Sequence, residues 1–184
     1  MQRPESNEPR GPKTFRELLA FLREDFEVHH RDASRPGFRA LAVHRFGTWT
    51  RRIEPKLVRG PLRVGYRAMF RYVRNVYGIE LPDMASVGRR VTIEHQGCIV
   101  VHGSAVIGDE CILRQGVTLG NRRLDRPHDA PKLGRAVNVG AGAKLLGSIR
   151  IGDGATIGAN SVVTRDVPEG CVAVGIPARL IADD

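Results

Sequence analysis

The chain has 184 residues, a mass of 20.3 kDa and a formal net charge of +9. This length suits one full-sized domain with a small accessory region and is too short for two independent enzymes. The first residues are polar and contain two prolines, so they do not form the apolar block of a signal peptide. Because no long apolar run follows, we expect a soluble, cytoplasmic protein.

The excess positive charge lies in the first half of the chain. Residues 1–90 hold 19 of the 29 Lys and Arg residues but only 10 of the 20 Asp and Glu residues. Aromatic residues make up 5% of the chain, so this basic half lacks the stacking surface that single-stranded nucleic acids require. We therefore expect no nucleic-acid partner.

The three cysteines are odd in number and form no CxxC pair. They are Cys98, Cys111 and Cys171. Neither a disulfide framework nor a cysteine zinc site follows from such widely separated positions. We expect all three to be reduced structural thiols.

Three segments of the first half have helical periodicity. The first, Phe15 to His30, predicts a helix with Phe15, Leu18, Leu19, Leu22 and Phe26 on its apolar face. The second, Gly37 to Ile53, has its apolar residues near one face, at Leu41, Val43, Phe46 and Trp49. We expect residues 1–80 to form a helical region in which residues 1–13 are disordered.

The third helical segment follows Gly60 and Pro61 and runs to Tyr77. Its apolar stripe consists of Leu62, Tyr66, Met69, Phe70, Val73, Val76 and Tyr77, and its arginines are Arg63, Arg67, Arg71 and Arg74. One interpretation is a packed helix with a solvated basic side. The other is an interfacial helix that docks on an anionic membrane surface or on an acidic acceptor.

An aliphatic residue, usually followed by glycine, recurs at every sixth position in the second half. The clearest run extends from Leu133 to Val163, an earlier one from Val101 to Leu119, and a third, from Val87 to Ile99, is offset by two residues. A six-residue period suits a coil with three flat sides per turn, each a short parallel strand with one aliphatic side chain inside. The sequence therefore predicts a parallel β-helix over residues 81–184.

One segment interrupts the repeat. Residues 120–132, GNRRLDRPHDAPK, are rich in Pro, Asp and Arg. We expect them to form a loop extruded from the coil, and loops held on a rigid scaffold frequently carry functional residues.

Few residues of such a coil can carry out chemistry. His95 lies two positions after the inward Ile93, so strand alternation gives it the inward parity unless a corner of the coil reorients it, and it is either a base or a satisfied core histidine. An imidazole oriented by a carboxylate such as Glu94 or Glu80 can take a proton from an alcohol near neutral pH. His128 in the extruded loop is the second candidate base, or an ordinary loop histidine.

The chain resembles the serine O-acetyltransferases of the hexapeptide acyltransferase superfamily. The matching motifs between Gly78 and Arg179 are GIEL, TIEHQGCIVVHGSAVIGDE, QGVTLG, VGAGAKLLGSIRIGDGATIGANSVV and VAVGIPARL. RDASRPGFRALAVHRFGTW is similar to that family's helical entry region. The resemblance implies a mainly β fold, a left-handed parallel β-helix with an N-terminal α-helical region, and acetyl-CoA as co-substrate without a metal.

The resemblance also implies the roles of individual residues. His95 is the general base and Glu80 orients it. Asp32 and Glu94 hold the ammonium group of a hydroxyl amino acid. For the oxyanion and the cofactor, the implied contacts are Gly120 at the oxyanion, Ala141 and Ala159 along the pantetheine arm, and Arg179 at a CoA phosphate.

The sequence departs from the family pattern at three places. The segment NRRLDRPHDAPK replaces a glycine-rich stretch followed by Arg-His-Pro, so Arg126, a candidate acceptor ligand, and His128 match only with a gap. Glu94 stands where the family has an aspartate. The chain stops at IADD, without the tail that docks on cysteine synthase, so we expect no such complex.

Three functions remain open at this point. The chain acetylates L-serine or a similar hydroxyl amino acid, or it acetylates a sugar, since the short tail, the GNRR segment and the third helix resemble exopolysaccharide (colanic acid type) acetyltransferases. The third possibility is a scaffold coil without turnover. In this superfamily the CoA cleft lies between neighbouring coils, so we expect a homotrimer, or a dimer of trimers joined through the helices.

Overall fold

The computed structural model describes residues 11–181, in which a helical region precedes a coil of short strands. The helices are α1 (Phe15–Val28), α2 (Pro36–Thr50) and α3 (Lys56–Tyr72), and α3 continues as a π-helical segment (Val73–Tyr77). Local signals fix their ends: the Thr14 hydroxyl accepts a hydrogen bond from the Glu17 N–H, and Gly78 ends the last helix at a φ of +65°.

Two boundaries differ from the sequence-based expectations. α3 begins at Lys56, before Pro61, because its first residues follow directly on Pro55 at the N-cap. Most of the segment expected to be disordered, residues 1–10, lies outside the described residues. Residues 11–13 are held in place, since Arg52 donates hydrogen bonds to the carbonyls of Gly11 and Pro12 at 2.9 and 3.1 Å.

The described residues contain fifteen strands. They are β1 (Ile79–Glu80), β2 (Ser86–Val87), β3 (Thr92–Ile93), β4 (Ile99–Val101), β5 (Val106–Ile107), β6 (Ile112–Leu113), β7 (Thr118–Gly120), β8 (Lys132–Leu133), β9 (Asn138–Val139), β10 (Lys144–Leu146), β11 (Arg150–Ile151), β12 (Thr156–Ile157), β13 (Val162–Val163), β14 (Val172–Gly175) and β15 (Ala178–Ile181). Each turn of the coil adds one strand to each of three sheets.

The three sheets have the orders β1-β4-β7-β10-β13, β2-β5-β8-β11 and β3-β6-β9-β12-β14-β15. All pairs are parallel except β14 and β15, which form an antiparallel hairpin at the end of the coil. The aliphatic residues stack in register, for example Leu119 on Leu145 and Leu145 on Val163. This arrangement confirms the predicted β-helix with an N-terminal helical region.

The aliphatic residues of the repeat fill the interior of the coil. Ile107, Leu113 and Leu145 have no exposed surface, and Ile151 and Ile157 are almost as fully enclosed. Burying such a side chain contributes about 1.5–3 kcal/mol, so the stacked files supply most of the apolar burial of this region.

Changes in pairing distance locate two insertions in the coil. Ile93 pairs with Leu113, 20 positions later, whereas Val101 pairs with Leu119, 18 positions later, so two extra residues lie between Ile93 and Val101. The step from Leu119 to Leu145 is 26 positions and includes the loop of residues 121–131. Gly120 belongs to β7 and Lys132 to β8, so this loop is one residue shorter at each end than the segment inferred from sequence.

The helical region covers the first turn of the coil through buried polar groups. Arg45 is completely buried, donates to the Asp25 carboxylate at 2.9 and 3.3 Å, and donates to the carbonyls of Val87 and Gly88 at 2.7 and 2.6 Å. β2 is the edge strand of its sheet, so these carbonyls would otherwise lack a partner. Arg45 therefore pairs part of the open edge of the β-helix.

The predicted apolar face of α1 is wrong in part. Phe15 and Leu19 are more than half exposed, whereas Leu18 of the predicted face is buried together with Phe21 and Asp25. The Asp25–Arg45 ion pair orients α1 so that Asp25 faces the interior. A prediction from apolar periodicity misses this orientation because it treats a carboxylate as a surface residue. For the same reason α2 buries polar residues as completely as Leu41, while the rest of its predicted apolar face, Val43, Phe46 and Trp49, is only partly buried.

No helix within residues 11–181 is long and apolar enough to cross a membrane.

Candidate active site

Four corners of the coil stack along one edge, which we call the His95 edge. They join the sheet of β3 to the sheet of β4 and comprise residues 94–98, 114–117, 140–143 and 158–161. Backbone hydrogen bonds of 2.8 Å connect each corner to the next, for example from the Gly116 N–H to the Gly97 carbonyl and from the Asn160 N–H to the Ala141 carbonyl. His95, Ala141 and Ala159, which are distant in sequence, therefore lie along the same edge.

His95 is exposed, so the inward orientation expected from strand alternation is wrong. The two inserted residues widen its corner, in which Gly97 and Cys98 have φ values of +105° and +54°. The chain thus leaves the extended conformation directly after Ile93. The His95 side chain makes no hydrogen bond or ion pair with any residue in the part of the chain that the structure describes, which leaves its imidazole free to meet a reactant.

Glu80 lies in β1, where it pairs with Val100, five residues beyond His95. Its side chain is partly buried. No hydrogen bond joins the Glu80 and His95 side chains within the described chain. The structure places the two residues on neighbouring turns but does not form the predicted dyad.

Glu94, next to His95, is paired with a residue that the sequence analysis missed. Its carboxylate lies 2.7 Å from the Arg114 Nε, and Arg114 also donates to the Asn138 side chain at 2.5 Å. Both members of the ion pair are about one third exposed, so solvent weakens it. The 20-residue step between the first two turns, the same step that pairs Ile93 with Leu113, would have identified Arg114 as the neighbour of Glu94.

Asp32 lies in the connection between α1 and α2. It accepts hydrogen bonds from the Ser34 N–H and hydroxyl at 2.8 and 2.6 Å, and these bonds lower the pKa of its carboxyl group, so the group is ionised. α2 passes so close to the coil that a Cβ on Gly37 would lie 2.1 Å from the Ile93 carbonyl oxygen. Asp32 therefore lies five residues before Gly37, which contacts Ile93 at the start of the corner that carries His95.

Gly120 and the loop of residues 121–131 lie at a different edge. Gly120 ends β7, three residues after the His95 edge, or roughly 10 Å along an extended strand. In the loop, His128 is exposed, and Arg126 is exposed and 4.0 Å from the Asp129 carboxylate. A single copy of the chain does not bring these residues to His95.

The upper part of the His95 edge is built from small residues. Ala141 is partly buried and Ala159 is exposed, and a Cβ on Gly140 would lie 2.6 Å from the Ala159 nitrogen, so the two corners touch through backbone. Arg179 is exposed on β15, in the hairpin that closes the coil. A narrow chain-like ligand can therefore lie against the backbone of this edge.

The fold and the stacked corners define the chain as a hexapeptide-repeat transferase. A family model described as bacterial transferase hexapeptide (six repeats) matches residues 130–165. The serine acetyltransferase of Staphylococcus aureus (strain MSSA476) is 35% identical over 171 residues, which cover 91% of this chain and 80% of that protein. The chain belongs to the serine acetyltransferase family.

Two further comparisons agree with this assignment. The serine acetyltransferase of Synechococcus elongatus is 42% identical over 146 residues, which cover 79% of this chain and 57% of that protein. The crystal structure of serine acetyltransferase in complex with coenzyme A from Brucella abortus strain S19 superposes with a TM-score of 0.77 at 28% identity, covering 92% of this chain and 69% of that one. The chain thus spans a little over half the length of its Synechococcus relative.

Proposed function

We propose that this chain is an acyltransferase that moves an acetyl group from acetyl-CoA to the hydroxyl of L-serine or of a similar hydroxyl amino acid. The observation that carries the proposal is the His95 edge, in which an exposed imidazole without a partner among the described residues is aligned with the small corners at Ala141 and Ala159. Membership of the serine acetyltransferase family supports the choice of donor and acceptor.

In the proposed reaction His95 is the general base. Its neutral imidazole takes the proton from the acceptor hydroxyl, and the oxygen attacks the carbonyl carbon of the thioester. The tetrahedral intermediate collapses with cleavage of the carbon–sulfur bond, and the departing CoA sulfur takes the proton from the imidazolium. The products are the acetyl ester and CoA, and no covalent enzyme intermediate is needed.

We propose that the site is completed between copies of the chain. Gly120, Arg126 and His128 lie at an edge that a single copy keeps away from His95, so a neighbouring coil has to bring them there. In a homotrimer, the His95 edge of each coil can face the edge of the next coil that carries Gly120 and the loop of residues 121–131. Such a trimer would contain three complete sites. In that arrangement Gly120 donates its N–H to the oxyanion, Glu80 orients His95, and the loop residues contact the acceptor.

The acceptor's ammonium group would be held by Asp32 and Glu94. Asp32 is ionised and exposed, which supports this role. Glu94 shares its charge with Arg114, so it attracts an ammonium less strongly than a free carboxylate. CoA would extend from His95 past Ala141 and Ala159 towards the phosphate contact at Arg179.

A thiol-release assay with an acceptor panel tests the proposed substrate. We expect free CoA to appear when the protein is mixed with acetyl-CoA and L-serine or L-homoserine, and not with sugars. N-Acetylated serine serves as the matched control, because it keeps the hydroxyl and lacks the ammonium group. Turnover of sugars without turnover of serine would overturn the amino-acid assignment and favour the sugar acetyltransferase interpretation.

A further inference from the structure

The outward face of α3 carries exposed apolar side chains. Leu57 is 87% exposed and Val64 is 64% exposed, and Tyr72 and Val76 are each more than half exposed. Their spacing of seven, eight and four residues keeps them on one side of the helix. The opposite side packs on the rest of the protein through Tyr66 and Val73, which are buried. Most of this apolar stripe therefore remains uncovered in the single chain, although Tyr72 also packs edge-on against the Tyr77 ring.

A basic stripe runs beside the apolar one. Residues 56–77 contain six Lys and Arg residues and no Asp or Glu. Arg67 and Arg71 are exposed and make no hydrogen bond or ion pair with any described residue, and the Arg74 guanidinium lies 5.9 Å from the ring centroid of Phe70. These three arginines, Val64 and Phe70 line an open groove of about 400 Å³.

Arg63 does not belong to this stripe, which corrects the four-arginine ridge inferred from sequence. It turns inward, pairs with the buried Asp83 carboxylate and lies over the Tyr66 ring. Arg63 thus anchors α3 through its ion pair with Asp83. The fold leaves the outward arginines without acidic partners among the described residues.

We propose that this face of α3 docks on an anionic lipid surface. The stripe at Leu57 and Val64 would lie at the boundary between headgroups and acyl chains, and Arg67, Arg71 and Arg74 would contact lipid phosphates. Charge complementarity favours this occupant over a second copy of the chain, because pairing two such faces would add cations without adding an acid. Phosphate contacts to a nucleic acid would leave the apolar stripe exposed.

Vesicle flotation tests the proposal with the intact protein. We expect binding to vesicles of phosphatidylcholine with about 30% phosphatidylglycerol and none to phosphatidylcholine alone. R67Q combined with R71Q should lower the partition coefficient by about 10-fold or more at low salt, since each cation near the surface contributes on the order of 1 kcal/mol. The matched control, R150Q with R165Q, removes the same charge from exposed positions on the coil and should bind as the parent does.

A second pair of variants separates insertion from charge attraction alone. L57S with V64S should weaken binding at about 150 mM salt, where screening reduces the electrostatic part. Both side chains are so exposed that the fold does not depend on them. The proposal would be overturned if R67Q/R71Q and R150Q/R165Q weakened vesicle binding equally. It would also be overturned if the parent protein did not float with the anionic vesicles. A smaller assembly of the L57S/V64S protein in sedimentation would overturn it as well, because the face would then join copies of the chain.

Discussion

Two neighbouring basic residues on α2 are buried in different charge states. Arg45 stays charged because the Asp25 carboxylate and two backbone carbonyls satisfy its guanidinium. His44 donates from Nε2 to the Ala85 carbonyl at 3.0 Å, and its Nδ1 has no hydrogen-bond partner within residues 11–181. Burial, reinforced by the charge on Arg45, lowers the pKa of His44 to about 3. The folded protein therefore keeps this imidazole neutral, and Nδ1 is left as an unsatisfied acceptor.

His44 makes the stability of the protein depend on pH. Because its pKa is lower in the folded state than in the unfolded state, its contribution is complete above about pH 6.5 and is lost as the pH falls towards 3. Between pH 7 and pH 5 we expect the free energy of unfolding to fall by about 2 kcal/mol from this group. H44N should remove that part of the pH dependence in urea titrations. An unchanged pH dependence in the variant would contradict the assignment.

The Glu94–Arg114 pair predicts a kinetic effect beside the proposed base. In R114Q the Glu94 carboxylate no longer shares its charge, so we expect the KM for L-serine to fall several-fold at constant kcat. E94Q should raise the KM by about 10- to 100-fold, since a charged hydrogen bond to the ammonium contributes about 1.5–3 kcal/mol. Both parameters come from initial rates of CoA release. A higher KM in R114Q would show that Glu94 does not bind the acceptor's ammonium group.

At the scale of elements, periodicity predicted the coil well and the helical faces less well. Every sixth residue must face the interior of a β-helix, so Leu133 to Val163 determine both the strands and their register. The faces of α1 and α2 depend on Asp25, His44 and Arg45, which an apolar pattern does not register. The orientation of His95 was only partly predictable, because the repeat shows the two-residue offset but not how the corner turns. The two residues inserted between Ile93 and Val101 end the strand alternation after Ile93, before it reaches His95.

The contact between α2 and the coil predicts a position that accepts only glycine. A Cβ on Gly37 would collide with the Ile93 carbonyl and β-carbon, so G37A should lower the free energy of unfolding by about 1–3 kcal/mol. A Cβ on Gly65 in α3 would meet only open space, so G65A should raise the free energy of unfolding by about 0.5–1 kcal/mol. Urea unfolding of both variants checks this. Equal effects of the two substitutions would contradict the close approach.

At the scale of the whole molecule, the residues proposed for one site occupy two edges of a three-sided coil. The sequence could supply the identity of these residues, but their division between the His95 edge and the edge at Gly120 depends on how three sheets close around the core. That division is the physical reason to expect an assembly. It also explains why the proposed oxyanion contact is incomplete in one chain.

Sedimentation equilibrium tests this expectation. A homotrimer of 20.3 kDa chains should have a mass of about 61 kDa, and a dimer of trimers twice that value. The mass should not change between parent and H95A, because His95 is exposed and has no partner among the described residues. A stable 20.3 kDa species that retains full activity would contradict a site shared between copies.

The role of His95 is the central claim, and the steady-state rate of CoA release tests it most directly. With saturating acetyl-CoA and L-serine, H95A should release CoA at least about 100-fold more slowly than the parent, as expected for loss of a general base. Its circular dichroism spectrum and sedimentation should match those of the parent. A correctly folded H95A protein that transfers acetyl groups within a few-fold of the parent rate would contradict the mechanism.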